Sequence, residues 1–95
     1  MKRSKVEYLA QSLGANLLPI HKQPDGSKEI ECIAPKGKLW NASDGETLLY
    51  VYYPDEGHKS SEIYTLLYED LKEGLREMTD KQKIEYGYPQ NSPNG

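Results

Sequence analysis

The sequence predicts an α+β fold: a two-layer sandwich in which helices lie on one face of an antiparallel meander sheet, in the order α-β-β-β(-β)-α. Three observations predict it. Apolar residues recur with helical spacing near both ends of the chain, they alternate with polar residues along its middle, and tight-turn sequences separate the alternating segments. Helices on one face of an antiparallel sheet bury both apolar surfaces and give a stable two-layer arrangement.

Residues 4–13 are predicted to form the first helix. Ser4 and Glu7 have the spacing of a capping box, in which two side chains bond the free backbone N–H groups at a helix start. Gly14 stands where helices often end in the left-handed conformation. The apolar face of this helix is expected to comprise Val6, Leu9, Ala10 and Leu13.

Two strands are predicted at 16–22 and 28–34, joined by a turn that contains proline and glycine. In the first strand, Leu18 and Ile20 are expected to point inward, and Pro19 indicates a sheet edge because it has no N–H to donate. Alternation in the second strand predicts three inward residues, namely Ile30, Cys32 and Ala34.

The strongest strand signal in the chain lies at 46–53. A short strand at 39–42 precedes it, and Asp44 and Gly45 form the residue pair that favours a type I′ hairpin turn. The strand at 46–53 is apolar on both faces, which is typical of a central strand covered on both sides. We therefore expect it to lie in the middle of the sheet.

The sequence leaves open which face of this strand the helices cover. In one arrangement Leu49 and Val51 face the helices, and Tyr50 and Tyr52 lie on the uncovered face. In the other arrangement the core receives Leu48, Tyr50 and Tyr52, and Leu49 and Val51 face outward. Both arrangements leave apolar side chains on the uncovered face of the sheet.

A long helix is predicted from Ser60 or Ser61 to about Met78, with Gly74 on its inner face. Thr79 and Gln82 have capping-box spacing and predict a short final helical turn through Glu85. Residues 1–86 are expected to form a single domain, and residues 87–95, which are rich in proline, asparagine and glycine, are expected to be a disordered tail.

Chemistry-bearing residues form no recognisable catalytic or metal-binding motif. The chain has one cysteine, Cys32, and two separated histidines, His21 and His58. A buried thiol is inert because burial raises its pKa, and this combination lacks the spacing of zinc ligands. The glycines stand singly at turns rather than in a phosphate-binding loop. We therefore expect no enzymatic activity, no cofactor and no metal.

The composition predicts a cytoplasmic protein. The apolar runs are too short to span a membrane, which requires about 20 residues. Met1, Lys2 and Arg3 are not followed by the apolar stretch of a signal peptide. A single cysteine forms no internal disulfide, which fits a reducing compartment.

The aromatic composition predicts an interaction surface. The chain contains eight tyrosines, one tryptophan and no phenylalanine. A buried tyrosine hydroxyl needs a partner, so this choice favours rings that are half buried and reach another molecule. Tyrosine and tryptophan are enriched at protein contacts. We therefore expect a non-enzymatic module that binds a protein partner or a second copy of itself, through Tyr8, Trp40, Tyr50 and Tyr52.

Nucleic-acid binding is the alternative hypothesis. The order α-β-β-β-α also occurs in small nucleic-acid-binding domains, and residues 1–40 carry seven basic and four acidic side chains. The opposing observation is the net charge of −3, with five basic and eleven acidic side chains in residues 41–95. In this hypothesis phosphate contacts would come from Lys2, Arg3, Lys5, Lys36 and Lys38.

Overall fold

The computed structural model describes residues 1–88 of the 95-residue chain. Its helices are α1 (Arg3–Ser12), α2 (Ser60–Lys72) and α3 (Asp80–Glu85), with a 3-10 turn at Pro54–Glu56. Its strands are β1 (Asn16–Leu17), β2 (His21–Lys22), β3 (Lys28–Ile33), β4 (Lys38–Trp40), β5 (Thr47–Tyr52) and β6 (Leu75–Glu77). All strand pairs are antiparallel, which confirms the predicted α+β fold class.

The main sheet is centred on β3. Strand β5 pairs along one side of β3, and β1 and β2 follow one another along the other side. Leu17 lies opposite Cys32, whereas His21 lies opposite Glu29, so the outer strand carries one more residue than the segment of β3 it faces. This extra residue forms a bulge around Pro19, which explains why the segment predicted as one strand forms two.

Strand β5 lies at an edge of the sheet and is not central. Within residues 1–88 it pairs only with β3. The prediction of a central strand was wrong because two different causes make β5 apolar. One of its faces packs into the core, and the other is left uncovered. A pattern that is apolar on both faces therefore does not require pairing on both sides.

The second sheet is a two-stranded ribbon of β4 and β6, in which Trp40 lies opposite Leu75. The sequence predicted one helix as far as Met78, but α2 ends at Lys72. Gly74 has φ of +86° and directs the chain into β6. The prediction that Gly74 lies on the inner face of a helix was therefore wrong. The short strand predicted at 39–42 therefore joins this ribbon instead of the main sheet.

Some helix ends and turns match the sequence predictions, and others do not. Gly14 has φ of +73° and closes α1 as predicted, with the Ala15 N–H donating to the Ala10 carbonyl at 2.9 Å. The capping box of Thr79 and Gln82 is confirmed at α3. At α1, however, the N-cap is Lys2 and carries no side-chain cap, so the predicted Ser4–Glu7 capping box does not form.

The Asp44–Gly45 turn also departs from the sequence prediction. Asp44 has φ of +56°, but Gly45 is not in the positive-φ region. A type I′ turn requires positive φ at both positions, so this turn belongs to another type. It nevertheless returns the chain toward the sheet, since the Trp40 N–H donates to the Gly45 carbonyl at 2.8 Å.

The core lies between the main sheet and the pair α1 and α2, which both cover the same face. Leu17 points toward this core, whereas Ile20 is exposed and Leu18 only partly buried, contrary to the prediction for the first strand. The buried side chains that form this core are Val6, Ala10, Ile30, Cys32, Ala34, Trp40, Leu48, Tyr52, Tyr64, Leu67 and Leu71. Of the two arrangements left open for β5, the one with Leu49 and Val51 outward is therefore confirmed.

Residue 88 is the last that the structure describes. The Tyr88 hydroxyl accepts a hydrogen bond from the Gly37 N–H at 3.2 Å and donates one to the Glu46 carboxylate at 2.9 Å. The predicted disordered tail at 87–95 lies outside the described residues from residue 89 onward. None of the helices in residues 1–88 combines the length and apolarity needed to cross a lipid bilayer.

We predict that Gly74→Ala lowers the free energy of unfolding by about 1–2 kcal/mol, because an alanine side chain is strained in the left-handed region. Gly45→Ala is the matched control, since Gly45 lacks positive φ and an added Cβ would meet its neighbours at ordinary contact distance. Urea unfolding of both variants checks this. An equal effect of the two substitutions would show that Gly74 is not needed to end α2.

Candidate functional site

The uncovered side of the main sheet is the candidate functional site, and we call it the open face. Leu49 and Val51 are its most prominent apolar side chains, with 50% and 42% of their surface exposed. Neighbouring β5 residues on the other face, such as Leu48 and Tyr52, are buried. The pairing register places six side chains of β3 and β5 on the open face: Glu29, Glu31, Ile33, Thr47, Leu49 and Val51.

Carboxylates flank the apolar pair on the open face. Glu31 lies opposite Leu49, and Glu29 lies opposite Val51. The Ala34 N–H donates to the Glu46 carbonyl at 2.8 Å. The hydrogen-bonded pairs of this ladder are therefore the pairs whose side chains lie on the covered face of the sheet. The Glu–Leu and Glu–Val pairs are then non-hydrogen-bonded pairs, whose side chains approach most closely. The open face is thus an apolar pair beside two acidic side chains.

The same alternation decides where the backbone of β5 points. Leu49 and Val51 do not hydrogen-bond to β3, so their N–H and C=O groups point away from the sheet. Within residues 1–88 these groups have no backbone partner. Beyond them the edge closes, because Ser43 Oγ donates to the Thr47 carbonyl at 3.1 Å and the Tyr53 N–H donates to His58 Nδ1 at 3.0 Å.

Helix α2 packs against β5 on the covered face of the sheet. The Tyr50 hydroxyl donates a hydrogen bond to the Asp70 carboxylate, which joins β5 to α2. Asn41 Nδ2 donates to the Glu73 carbonyl at 2.9 Å and holds the end of α2 beside the turn before β5. Leu66, four residues before Asp70, is exposed. Burial, the Asp70 hydrogen bond and nearby carboxylate charge raise the pKa of Tyr50.

The four residues predicted for protein binding do not share a surface. Tyr8 is 78% exposed on α1, but Trp40 and Tyr52 are buried in the core. Tyr50 is half buried and points toward α2. Trp40 Nε1 donates to the Cys32 carbonyl at 3.2 Å, so the polar atom of the indole is satisfied inside the protein. The placement of Tyr50 and Tyr52 on the uncovered face was therefore wrong.

Leu49 and Val51 are open-face residues in only one of the two arrangements that the sequence leaves open. The two arrangements differ in how β5 pairs with β3, in which Glu29 and Glu31 alternate with inward residues. A strand pairs with its neighbour so that opposite residues share a face. The register of β5 against β3 would have placed Leu49 and Val51 beside the glutamates, but the sequence does not determine that register.

Among the predicted phosphate-binding residues, Arg3 is engaged within the fold. Its guanidinium donates to the Leu18 carbonyl at 2.7 Å and to the Tyr64 hydroxyl at 3.1 Å. Arg3 Nε also lies 3.5 Å from a carboxylate oxygen of Glu7. These contacts tie α1 to the bulge and to α2, so the described role of Arg3 is structural.

The remaining predicted basic residues are not brought together. Three lysines lie against side chains of the protein: Lys5 over the Tyr68 ring at 5.4 Å, Lys36 over the Tyr88 ring at 5.9 Å, and Lys38 in an ion pair with Glu77. Lys2 and Lys5 lie at the start of α1. Lys36 and Lys38 follow Pro35, which lies beside Gly14 at the other end of α1. A ten-residue helix, about 15 Å long, therefore separates these two pairs of lysines.

A cleft of about 320 Å³ lies on the open face beside the bulge, where it is lined by Leu18, Pro19, His21, Glu29 and Glu31. His21 Nδ1 lies 3.0 Å from Glu29 Oε1 at its rim. No serine, threonine or cysteine is among the residues that line this cleft. In residues 1–88 no three histidine, cysteine or acidic side chains are grouped closely enough to hold a metal ion.

Cys32 is fully buried in β3. Burial raises the pKa of its thiol to about 11, so the thiolate, which is the nucleophilic form, is scarce at neutral pH.

Comparison with protein-family models, with characterised proteins and with solved structures finds no match to this chain. The geometry of the open face and its edge is therefore the basis for the functional proposal.

We predict that the stability of the protein falls above about pH 10, where the phenol of an unfolded tyrosine ionises. The raised pKa of Tyr50 keeps its phenol neutral in the folded state. The contribution of Tyr50 to the free energy of unfolding is fully present below the pKa of an unfolded tyrosine. It is lost as the pH rises from that value toward the higher pKa of Tyr50 in the folded state. Urea unfolding across this range should show a smaller fall for Tyr50→Phe, whereas the exposed-site control Tyr8→Phe should behave like the wild type. An unchanged pH profile in Tyr50→Phe would contradict this account.

Proposed function

We propose that this chain is a small, cytoplasmic, non-enzymatic interaction module that binds a protein partner through the open face of its sheet. The observation that carries the proposal is the side-by-side exposure of Leu49 and Val51 on a sheet whose other face is covered by α1 and α2. Exposed apolar side chains that lie together, with polar residues around them, are typical of protein contact sites.

The apolar pair supplies a measurable part of the free energy of binding at such a contact. Full burial of a leucine or valine side chain stabilises a contact by about 1.5–3 kcal/mol. Leu49 and Val51 are already about half covered, so a partner gains roughly 1 kcal/mol from each. Since a factor of ten in affinity corresponds to about 1.4 kcal/mol, loss of both side chains should weaken binding by at least tenfold.

Charge around the open face favours a different protein over a second copy. Glu29 and Glu31 lie directly beside the apolar pair. The half of the chain that contains β5 and α2 carries six more acidic than basic side chains. Two copies that met through this face would bring like charges together, which is unfavourable. A partner with basic residues around an apolar centre is complementary.

Nucleic-acid binding has weaker support than protein binding. Its proposed phosphate contacts are divided between the two ends of α1, and Arg3 already serves contacts within the fold. A gel shift at low salt separates the two hypotheses, because phosphate contacts lose affinity steeply as salt is raised. An enzyme has no positive support: Cys32 is buried, and His58 accepts a backbone hydrogen bond.

We predict that Leu49→Ser combined with Val51→Ser weakens binding of the natural partner by at least tenfold and leaves the fold intact. The wild-type chain captures candidate partners from its native cell, and the affinity of each purified candidate is then measured by calorimetry. Tyr8→Ser, on the outer surface of α1, is the control and should bind like the wild type. Retention of every partner by the double variant would rule out the open face as the binding site.

A further inference from the structure

The two edges of the main sheet are built differently. An exposed edge strand invites pairing with another chain, and proteins discourage this with prolines, bulges and charged residues. The edge formed by β1 and β2 has all three features, in Pro19, the bulge around it and Lys22. Strand β5, Thr47–Tyr52, contains neither a proline nor a charged residue along its length. Of the two edges that the main sheet shows in residues 1–88, the β5 edge is therefore the one suited to strand pairing.

The β5 edge also has the necessary hydrogen-bonding groups. Leu49 and Val51 each direct one N–H and one C=O away from β3, and both residues are substantially exposed. In an antiparallel pair, each outward residue exchanges two hydrogen bonds with the residue opposite it. The segment between the closed ends at Thr47 and Tyr53 therefore offers four hydrogen bonds to one extended segment.

We propose that the β5 edge binds an extended, basic segment of the partner as an added antiparallel strand. This inference rests on the proposed function and specifies how the partner binds at the same site. Main-chain hydrogen bonds would supply affinity, and alternate side chains would supply specificity, as in other strand-addition complexes.

The surroundings of the edge specify the side chains of the added strand. Residues opposite Leu49 and Val51 share the open face with them, so apolar side chains fit there. The intervening residues point toward the helix side, where Asp70 lies close enough to bond the Tyr50 hydroxyl and Glu73 follows one turn later. Lysine or arginine fits these positions. The preferred segment therefore alternates apolar and basic residues.

The same charges argue against β5 pairing with β5 of a second copy. A two-fold axis at Tyr50 would bring the α2 helices of both copies to the same side of the joined sheet. The carboxylates of Asp70 and Glu73 in one copy would then approach those in the other. Like charges across an interface are unfavourable, whereas a basic segment neutralises them.

Amide hydrogen exchange in the free, full-length chain is the first test. We expect the Leu49 and Val51 amides to exchange rapidly and the amides of Leu48 and Tyr50, which pair with β3, to be protected. Slow exchange at Leu49 and Val51 in the free chain would overturn the proposal, since the edge would already be paired. Light scattering would then distinguish a second copy from another part of the same chain.

Synthetic peptides are the second test. The probe is an acetylated and amidated seven-residue peptide of alternating valine and lysine. Two matched variants carry N-methyl groups, one on the valine nitrogens and one on the lysine nitrogens. With apolar residues on the open face, the valine N–H groups face β5 and the lysine N–H groups face away. We therefore expect valine methylation to weaken binding by at least tenfold and lysine methylation to change it much less.

Binding should protect the Leu49 and Val51 amides from exchange, and a peptide with glutamate in place of lysine should bind at least tenfold more weakly. Glu73→Gln should weaken binding of the lysine peptide several-fold, while Glu85→Gln, the same change on α3, should not. Equal affinity of the two methylated peptides, or no binding of the valine–lysine peptide, overturns strand addition. The proposed function would still stand in that case if the Leu49 and Val51 double variant loses its natural partner.

Discussion

The ladder between β3 and β5 is the constraint on which the rest of the structure depends. Side chains alternate along a strand, so a register shift of one residue would exchange the covered and uncovered faces of β5. In the observed register, Leu48 and Tyr52 fill the core beside Ile30 and Cys32. The same ladder places apolar side chains beside glutamates on the open face and directs the outward backbone groups of β5 to the edge. Fold and candidate site therefore have a single origin.

Three of the eight tyrosine hydroxyls form hydrogen bonds within the fold, whereas Tyr8, Tyr53 and Tyr86 are exposed. The hydroxyl of Tyr64 accepts from Arg3, that of Tyr50 donates to Asp70, and that of Tyr88 donates to Glu46. Each of these bonds joins two segments that are distant in sequence. These three rings lie near the boundary of a small two-layer protein, where a hydroxyl finds a partner within the protein. Part of the tyrosine content therefore serves hydrogen bonds between distant segments rather than an external contact.

Local patterns predicted the elements of this fold better than their ends and partners. The periodicity of α1, its closure at Gly14 and the capping box at Thr79 depend on nearby residues, and the sequence was sufficient for them. The end of α2 was missed because glycine is compatible with both a helix interior and a left-handed stop. The open face required the register of two strands that are separated by β4, and no local pattern determines it. Tertiary pairing also decided that Trp40 packs inward.

The burial of Cys32 has a practical consequence for studying the protein's motions. Its thiol is the only one in the chain, and it lies between the sheet and both covering helices. A thiol-reactive dye therefore labels the native protein only when the two layers separate. With excess dye and fast labelling, the modification rate in native buffer reports the opening rate of the core, without an engineered probe or a denaturant.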